Sequence, residues 1–432
     1  MTNVSVNNQK VSSAKVLPFQ KISVVGLGYI GLPTAAMFAS RKIEVVGIDV
    51  NQMVVDRINQ GQIHIIEPDL DIVVQAVVSQ GYLRAALDPE PADAFLVAVP
   101  TPFTGDGHIP DLKYIEAASR AIAPMLQPGN VVILESTSPV GATEKMADLL
   151  AEIRPDLSFP QTAGEQSDIR IAHCPERVLP GKVMQELILN DRVIGGMTTK
   201  CSELAVSLYK MFVTGDCVIT NARSAEMTKL TENSFRDVNI AFANELSMIC
   251  DRLDMDVWEV IRLANLHPRV DILRPGPGVG GHCIAVDPWF IVASAPEDAR
   301  VIRTAREVND SKPGWVLGKV ISALDAFLKQ YPKLGPEDVT IACYGLAFKP
   351  DIDDLRESPA LQIVQMLAKT HPGTLLAVEP NIDTLPNGLG QTELASLEAA
   401  YQRADIHVCL VAHQEFKGAS RPIRFFIDTV GL

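Results

Sequence analysis

The chain has 432 residues, of which 47% are hydrophobic and 21% charged, and its formal net charge is −14 at pH 7. This length exceeds what one ordinary hydrophobic core serves, so we expect two or three domains of a globular protein. The acidic balance argues against a nucleic-acid backbone as the main partner. It is compatible with an anionic small ligand, because loops and helix N-termini bind phosphate even within an acidic protein.

The number and spacing of the cysteines indicate the redox environment of the protein. There are seven, an odd number without a CxxC pair, at positions 174, 201, 217, 250, 283, 343 and 409. This pattern is typical of free thiols in a reducing cytoplasm and not of a disulfide framework. We therefore predict a cytoplasmic protein.

The segment 22–40 imitates a targeting or membrane segment, because it carries no charge and three lysines precede it. Three glycines and Pro33 interrupt the segment, and its first half has the character of a strand. We therefore expect neither export nor a membrane partner. Residues 1–20 are polar and lack periodicity, which predicts a disordered arm.

A dinucleotide-binding fingerprint follows the first predicted strand. The apolar run 21–25 leads directly into GLGYIG, a helical stretch at 32–40 and a second strand at 44–48 that ends at an acid. The first glycine makes a tight turn, the second admits a pyrophosphate and the third lets helix and strand pack. The acid accepts ribose hydroxyls and repels a 2′-phosphate, which favours NAD as the cofactor over NADP. The predicted cofactor-binding residues of this fingerprint are Gly26, Gly28, Tyr29, Ile30, Gly31 and Asp49.

Further strands are predicted at 94–99 and 131–134, and each ends in a turn of small polar residues. Ligands of open α/β sheets lie beyond the carboxyl ends of the strands, so these turns should face the cofactor. The hydroxyl residues expected there are Thr101, Ser136 and Thr137. Simple helix capping is the alternative for any one of them. The next strand, at 169–172, leads into CPER and places Glu176 at the same edge of the sheet.

The segment 216–267 contains neither glycine nor proline, and 222–253 is predicted to form one long helix. Lys229 and Asn233 are four residues apart and so share a face of this helix. A solvated polar stripe is the alternative explanation for such a pair. The apolar residues that favour burial of the helix between domains or subunits are Ile240, Phe242, Leu246 and Ile249. A second helical segment is predicted around 305–328.

Between these helices the chain enters a glycine-rich loop, GPGVGGHCIAVD, at 276–287. Four glycines in its first six positions allow the backbone to approach a ligand closely. A thiol on such a loop, that of Cys283, suits covalent chemistry better than a thiol inside an apolar strand. The alternative is a glycine-rich turn that carries a buried cysteine.

The first α/β pattern returns near the C-terminus. Predicted strands at 339–344 and 375–378 end at Gly345 and Glu379, and the stretch 404–412 echoes the third strand of the first copy. This second copy lacks the second and third fingerprint glycines, so it need not bind a dinucleotide. The predicted fold is α/β, with two Rossmann-like doubly wound domains joined by a central helical domain that contains the long helix. The predicted division is an arm at 1–20, an NAD-binding Rossmann domain at 21–200, the helical domain with the cysteine loop at 201–330 and a second Rossmann-like domain at 331–432.

An NAD domain together with a cysteine loop limits the kinds of oxidation that the protein could catalyse. NAD takes a hydride from an alcohol and leaves an aldehyde, which a nearby thiolate can trap as a thiohemiacetal. Loss of a second hydride gives a thioester, and water then releases an acid. An enzyme with both parts oxidises a primary alcohol fully to a carboxylate, whereas an alcohol dehydrogenase that stops at a ketone needs no such cysteine.

Five segments resemble the motifs of the nucleotide-sugar 6-dehydrogenase family, which comprises UDP-glucose, GDP-mannose and UDP-N-acetylhexosamine dehydrogenases. They are VVGLGYIGLPTA, ESTSPVG, KLTENSFRDVNIAFANEL, GPGVGGHCIAVDP and GLAFKPDIDDLRESP. Two further stretches, CPERVLPG and HPRVDILRPGPGVGGHC, resemble the N-acetylated branch. The resemblance covers the chain from about Lys21 onward. It implies NAD-dependent oxidation of a UDP-sugar for bacterial surface polysaccharide, a UDP-sugar-binding C-terminal domain, and a homodimer or larger homo-oligomer formed through the long helix.

The resemblance also assigns roles to individual residues. It implies that Cys283 is the nucleophile and that Lys229 and Asp287 carry protons. It also implies that Asn233 stabilises the oxyanion and that Thr137 and Glu176 assist thioester hydrolysis. The implied UDP-sugar contacts are Glu176, Arg177, Lys229, Asn233, Arg269, Gly280 and Lys349. Arg356 is implied at the NAD pyrophosphate. Pro180 stands where the UDP-glucose branch has a second glutamate, which argues against UDP-glucose as the substrate.

Three other interpretations compete with this one. A zinc site at the His–Cys pairs 173–174 and 282–283 is disfavoured, because adjacent ligands suit a tetrahedral site poorly and neither CxxC nor HxxxH is present. We therefore expect no metal. A β-hydroxyacid dehydrogenase shares the Rossmann domain and the Lys–Asn helix but lacks the cysteine loop and the second α/β domain. A non-catalytic NAD sensor would be favoured by loss of the nucleophile or of Lys229, and both residues are present.

Overall fold

A computed structural model describes residues 19–105, 108–179, 181–281, 283–418 and 425–432. Pro180, His282 and residues 1–18 of the predicted arm lie outside the described residues. The strands are β1 (Lys21–Val25), β2 (Glu44–Ile48), β3 (Leu83–Ala86), β4 (Ala94–Val97), β5 (Phe103–Thr104), β6 (Ile109–Pro110), β7 (Val131–Leu134), β8 (Arg170–His173), β9 (Arg192–Gly196), β10 (Cys217–Asn221), β11 (Ile341–Tyr344), β12 (Leu375–Val378), β13 (Glu393–Leu394), β14 (Ile406–Cys409) and β15 (Phe426–Asp428).

The α-helices follow the loops between these strands and also fill the segment between β10 and β11. They are α1 (Gly31–Ser40), α2 (Gln52–Asn59), α3 (Leu70–Ser79), α4 (Lys113–Ile122), α5 (Ala142–Ile153), α6 (Pro160–Ala163), α7 (Val183–Leu189), α8 (Thr199–Tyr209), α9 (Ala222–Arg252), α10 (Val257–Ala264), α11 (Asp287–Ser294), α12 (Arg300–Gln330), α13 (Pro359–Thr370) and α14 (Leu397–Arg403). None of the described helices is both long and apolar enough to cross a membrane.

Contacts divide the chain into two compact units. The first contains the residues up to Thr101 together with Asp111–Lys229, and the second contains Pro102–Pro110 together with Leu230–Leu432. The finer division at residues 200 and 330, into cofactor, helical and UDP-sugar domains, remains a prediction.

The first unit is built on an eight-stranded sheet with the order β10-β9-β8-β7-β4-β1-β2-β3. Neighbouring strands are parallel except β8 and β9, which are antiparallel. The residues of β4 and β7 are buried throughout, as expected for parallel strands that helices cover on both faces. Strand order reverses between β1 and β4, and such a switch point opens a crevice for ligands at the carboxyl ends of the strands.

The second unit contains a smaller sheet of the same kind, with the order β13-β12-β11-β14-β15 and all neighbours parallel. Its switch point lies between β11 and β14. The long helices α9 and α12, of 31 residues each, precede this sheet in the chain. The fold prediction, two doubly wound sheets and a helical segment with a long helix between them, is confirmed.

Two elements differ from their sequence predictions. The start of the segment 216–267 lacks a predicted element and forms the edge strand β10, because the absence of glycine and proline is as compatible with a strand as with a helix. Its β-branched residues Val218 and Ile219 favour the strand. The helix predicted at 305–328 is longer, and α12 continues through Pro313 although this residue lacks the N–H that would bond the carbonyl of Asn309.

Candidate functional site

The first glycine-rich turn joins β1 to α1. Gly26 has a φ of +91°, which a side chain would strain, and a Cβ on Gly31 would lie 1.7 Å from the carbonyl oxygen of Gly26. These two glycines therefore close the turn against its own backbone. Gly28 is exposed, and a Cβ built on it would meet nothing within 4 Å. The open position is the one at which the fingerprint requires access for a pyrophosphate.

Asp49 follows β2 directly and lies beside the same turn. One of its carboxylate oxygens accepts the backbone N–H of Leu27 at 3.1 Å and the other accepts the N–H of Asn51 at 2.9 Å. The side chain is only partly buried, so its oxygens keep lone pairs for a ligand hydroxyl. Tyr29 and Ile30 are also partly buried at the start of α1. The residues of this turn fit the pyrophosphate and ribose of NAD.

The turns after β4 and β7 are tied to each other. The hydroxyl of Ser136 accepts the N–H of Val99 at 2.9 Å and contacts its carbonyl oxygen at 2.7 Å. Thr101 donates its hydroxyl to the carbonyl oxygen of Thr137. These contacts link two neighbouring turns, so in this structure neither Ser136 nor Thr101 serves as a helix cap. The side chain of Thr137 is partly exposed at the same edge of the sheet.

A buried charge cluster occupies the end of β8, where Glu176 lies. Glu176 is 7% exposed, and its Oε2 is 2.9 Å from Nη2 of Arg192, which is 4% exposed. The guanidinium of Arg192 lies over the ring of Tyr209 at 4.5 Å, and the Tyr209 hydroxyl donates to Glu135 at 2.6 Å. Burial raises the pKa of Glu135 to about 7, although Arg192 opposes the shift. The ion pair with Arg192 therefore orients the carboxylate of the predicted residue Glu176.

Sequence reasoning missed Arg192 and Glu135. Arg192 begins β9, and the antiparallel register pairs Ala172 with Gly196 and His173 with Gly195. Continued past the end of β8, that register brings Arg192 opposite Glu176. The reversed strand was not predicted, so the pair could not be found. Glu135 directly precedes the predicted cofactor residue Ser136 in the segment ESTSP, and this position was the sequence signal that could have identified it.

The His173–Cys174 pair has the properties of a core and not of a metal site. Burial raises the pKa of the Cys174 thiol to about 12 and lowers the pKa of His173 to about 3. A second group with metal-ligating side chains, Asp351, His413 and Glu415, has its donor atoms within 4.8 Å of one another. There His413 accepts the N–H of Asp351 through Nδ1 at 3.0 Å and contacts Glu379 through Nε2 at 3.1 Å. Both ring nitrogens are thus engaged by the protein.

In the second unit two residues predicted at the nucleophile, Asn233 and Asp287, are in direct contact. Asn233 of α9 donates its side-chain amide to Asp287 at 2.5 Å, and both side chains are buried. Asp287 is the first residue of α11, and its backbone N–H donates to the carbonyl oxygen of Cys283 at 2.8 Å. Cys283 itself is partly exposed. The burial of Asn233 argues against a solvated stripe, and Lys229 is partly buried one helical turn before it.

The glycine loop before Cys283 is held by close backbone contacts. Gly276 donates its N–H to the side chain of Asn244 at 2.9 Å, and Gly281 donates its N–H to the carbonyl oxygen of Arg356 at 3.2 Å. A Cβ on Gly280 would lie 2.5 Å from the carbonyl oxygen of Glu357. The glycine at 280 is therefore required by the packing of the loop itself.

The remaining predicted residues lie in four separate segments of the chain. Arg177 donates to the carbonyl oxygen of Asp191 at 3.2 Å. Arg356 is bound to Asp354, with its Nη2 at 2.6 Å from Oδ2. Arg269 is exposed, and Lys349 is partly buried in the loop after β11. Their roles in binding the UDP-sugar or NAD stay predictions.

Comparison with known families decides the class of the protein. The NAD binding domain of the UDP-glucose/GDP-mannose dehydrogenase family matches residues 20–213, its central domain residues 223–311 and its UDP binding domain residues 342–430. The chain belongs to the UDP-glucose/GDP-mannose dehydrogenase family. Its members are NAD-dependent nucleotide-sugar dehydrogenases, so the predictions of the enzyme class and of NAD as the cofactor are confirmed. The β-hydroxyacid dehydrogenase and the non-catalytic sensor are set aside.

Close relatives in this family carry two names. A UDP-N-acetyl-D-mannosamine dehydrogenase of Escherichia coli (strain K12) is 64% identical over 420 residues, which is 96% of this chain and 100% of that protein. An NDP-N-acetyl-D-galactosaminuronic acid dehydrogenase of Ralstonia nicotianae is 63% identical over 419 residues, 96% of this chain and 97% of that protein. Among solved structures, a UDP-D-ManNAc dehydrogenase from Pyrococcus horikoshii has a TM-score of 0.82 at 41% identity, covering 93% of this chain and 91% of that one.

Proposed function

We propose that the protein oxidises UDP-N-acetyl-D-mannosamine at C6 to UDP-N-acetyl-D-mannosaminuronate, with reduction of two NAD. The observation that carries this proposal is the partly exposed Cys283 on a loop whose end, Asp287, is bonded to Asn233. The sugar is supported by the 64% identity to the Escherichia coli enzyme and by the resemblance of CPERVLPG to the N-acetylated branch. The product would serve bacterial surface polysaccharide such as enterobacterial common antigen.

The proposed reaction uses the thiol of Cys283 as a nucleophile. The turn of Gly28 and Asp49 would hold NAD, which would supply the hydride acceptor for each of the two oxidations. The C6 hydroxyl loses its proton to Lys229 or Asp287, and the Cys283 thiolate adds to the resulting aldehyde. The side-chain amide of Asn233 stabilises the oxyanion of the thiohemiacetal.

Loss of the second hydride leaves a thioester on Cys283. Water then adds to its carbonyl carbon, the carbon–sulfur bond breaks and the thiolate leaves, with Thr137 and Glu176 assisting the proton transfers. We assign the UDP-sugar to the group already predicted from the family, of which Arg177, Arg269, Gly280 and Lys349 complete the set. Arg356 is assigned to the NAD pyrophosphate.

A nucleotide sugar of the N-acetyl-D-galactosamine series is a second candidate, because the Ralstonia nicotianae relative is as similar as the Escherichia coli one. UDP-N-acetyl-D-glucosamine is a third, as another member of the N-acetylated branch. These sugars share the nucleotide, the N-acetyl group and the C6 hydroxyl, so the mechanism is the same for each of them.

A homodimer formed through α9 belongs to the same proposal. Its apolar residues Phe235, Phe242 and Ile249 recur every seven positions and are 68%, 54% and 48% exposed in the single chain. Residues seven apart lie on one side of a helix, so these side chains form a continuous apolar stripe. Such a stripe marks a protein–protein contact.

The test is NADH formation from UDP-ManNAc, UDP-GlcNAc, UDP-GalNAc and UDP-glucose in parallel. We expect two NADH per UDP-ManNAc, and an uronate product by mass spectrometry. Cys283→Ala should keep NAD affinity and form no uronate, whereas Cys217→Ala, a partly buried cysteine of the first unit, should match the wild type. Undiminished uronate formation by Cys283→Ala would overturn the thioester route. Turnover of another sugar instead would move the assignment to that sugar.

A further inference from the structure

A row of buried polar side chains runs along one face of α9. Its members Asn233, Asp237 and Asn244 are spaced by four and seven residues, so they lie on the same side of the helix. Their exposed fractions are 8%, 0% and 0%. Buried polar groups are costly unless they are hydrogen-bonded, so the partners of this row indicate what it is for.

Two of the partners are the ends of the cysteine loop. Asn233 donates to Asp287, where the loop ends, and Asn244 accepts the N–H of Gly276 at 2.9 Å, where the loop begins. The two asparagines are separated by eleven residues, or about 16 Å along the helix axis. From Gly276 to Asp287 the chain also advances by eleven positions, which would span about 36 Å if extended. The extended length of the loop is therefore more than twice the distance between its two attachment points, so these two contacts alone do not fix its path.

A third set of contacts holds the middle of the loop. Gly281 donates its N–H to the carbonyl oxygen of Arg356, and Gly280 packs so closely on Glu357 that a side chain has no room. Cys283 lies between this contact and the Asp287 end. Its position therefore depends on all three attachments and not on the local sequence alone.

The side chain of Asn244 is itself fixed by a buried network. Its amide donates to Asn309 of α12 at 2.9 Å, and Asn309 donates to Asp237 at 2.8 Å. Asp237 is bound by Arg306 at 2.6 Å, with exposed fractions of 0% and 1%. Because each amide both donates and accepts, the network leaves the Oδ1 of Asn244 pointing at Gly276. These hydrogen bonds fix the orientation of the Asn244 side-chain amide.

We propose that Asn244 is a positioning residue for Cys283, which acts by holding the Gly276 end of the cysteine loop on α9. The inference deepens the proposed function, on which it rests, because it explains how the nucleophile is kept in place. Asn244 touches no reacting atom in this role. Its effect passes through the backbone of the loop.

The experiment compares Asn244→Ala with two matched variants in the full-length protein with NAD bound. Asn239→Ala removes a partly exposed asparagine of the same helix, and Glu393→Gln alters an exposed ion pair of the second unit. The readouts are amide hydrogen exchange of residues 276–286, the rate of Cys283 alkylation by iodoacetamide, and kcat against KM for NAD. In Asn244→Ala we expect loop exchange and alkylation at least threefold faster and kcat at least tenfold lower, with KM for NAD unchanged.

Asn244→Asp is the conservative variant, because it keeps the oxygen that accepts from Gly276. We expect its loop exchange to lie between that of the wild type and that of Asn244→Ala, and this comparison remains available if Asn244→Ala does not fold. Unchanged loop exchange and alkylation in Asn244→Ala, or the same changes in Asn239→Ala or Glu393→Gln, would overturn the proposal. Loop exchange and alkylation need no substrate, so failure of the proposed reaction would show in the wild type and not in these comparisons.

Discussion

The two sheets of the molecule place an acid at the same position and use it differently. Asp49 follows β2 of the first sheet, is partly exposed and accepts one backbone N–H on each oxygen. Glu379 follows β12 of the second sheet and is 4% exposed. One of its oxygens accepts from Leu346, Ala347 and His413, and the other accepts from Asn381. The oxygens of Asp49 therefore keep lone pairs for a ligand hydroxyl, whereas both oxygens of Glu379 are occupied by hydrogen bonds from its own unit.

The electrostatics of Glu379 agree with a structural role. Burial raises its pKa, but the hydrogen bonds from His413 and from the backbone N–H groups of Leu346 and Ala347 outweigh this and hold the pKa at about 2. The turns differ in the same way. The position of the exposed Gly28 is taken in the second sheet by Ala347, which is 1% exposed. The same topology therefore yields an open nucleotide turn in one unit and a closed turn in the other.

The largest effect is expected for Glu379→Gln, which removes the charge of the buried acid. A pKa lowered from 4.5 to about 2 corresponds to about 3 kcal/mol of stability at neutral pH. Because the folded pKa lies below the unfolded one, this contribution is present above about pH 5 and is lost as the pH falls towards 2. We expect denaturant unfolding of the second unit to shift strongly at pH 7 and less at pH 4.

The control for this measurement is Glu393→Gln, which alters an exposed ion pair with Arg403 in the same unit. Its effect should be small, because exposed pairs are screened by solvent. NAD affinity should be unaffected in both variants. An equal loss of stability in Glu379→Gln at pH 7 and pH 4 would contradict the assignment of this carboxylate.

A second prediction makes the open turn resemble the closed one. Gly28→Ala adds a methyl group at the position where the fingerprint admits the pyrophosphate, so NAD affinity should fall ten- to a hundredfold, about 1.4–2.8 kcal/mol. The stability of the NAD-free protein should change by less than about 0.5 kcal/mol, because the added Cβ would meet nothing within 4 Å. Calorimetric titration with NAD and thermal unfolding measure the two quantities. Full NAD affinity in this variant would show that the cofactor does not approach Gly28.

The smallest effect is expected for Asp49→Asn. An amide can still accept a ribose hydroxyl, so NAD affinity should fall about five- to tenfold, or about 1 kcal/mol, through loss of the charge. Titration with NAD and with NADP checks this, and discrimination against NADP should weaken because the repelling charge is gone. Glu44→Gln, at the other end of β2, is the matched control. A loss of stability in Asp49→Asn as large as that in Glu379→Gln would erase the difference between the two acids.

Local patterns predicted the elements that depend on neighbours in sequence. The strands at 44–48, 131–134 and 375–378 have the predicted bounds, because short apolar runs are ended there by turn residues or acids. The first glycine turn and its acid were found for the same reason, since strand, turn, helix and acid follow one another within 30 residues. The strand predicted at 94–99 ends instead at Val97, where the backbone turns to meet Ser136.

The residues that sequence reasoning missed are positioned by contacts between distant parts of the chain. Asn244 reaches Gly276 and Asn309 only because α9, α12 and the loop pack together. No spacing within α9 distinguishes the buried Asn244 from a partly exposed asparagine such as Asn239. Likewise, the burial of Glu379 depends on His413, which lies after β14. Polar partners of this kind require tertiary structure.

The reversed strand β9 changes which residues reach the ligand-facing edge of the first sheet. In a purely parallel sheet, every residue at that edge follows a strand in the sequence. A strand that runs the other way brings the residue before it, or its first residue, to that same edge. Arg192 enters the neighbourhood of Glu176 by this route. In a mixed sheet, the ligand-facing edge is therefore built from the beginnings of the reversed strands as well as from the ends of the others.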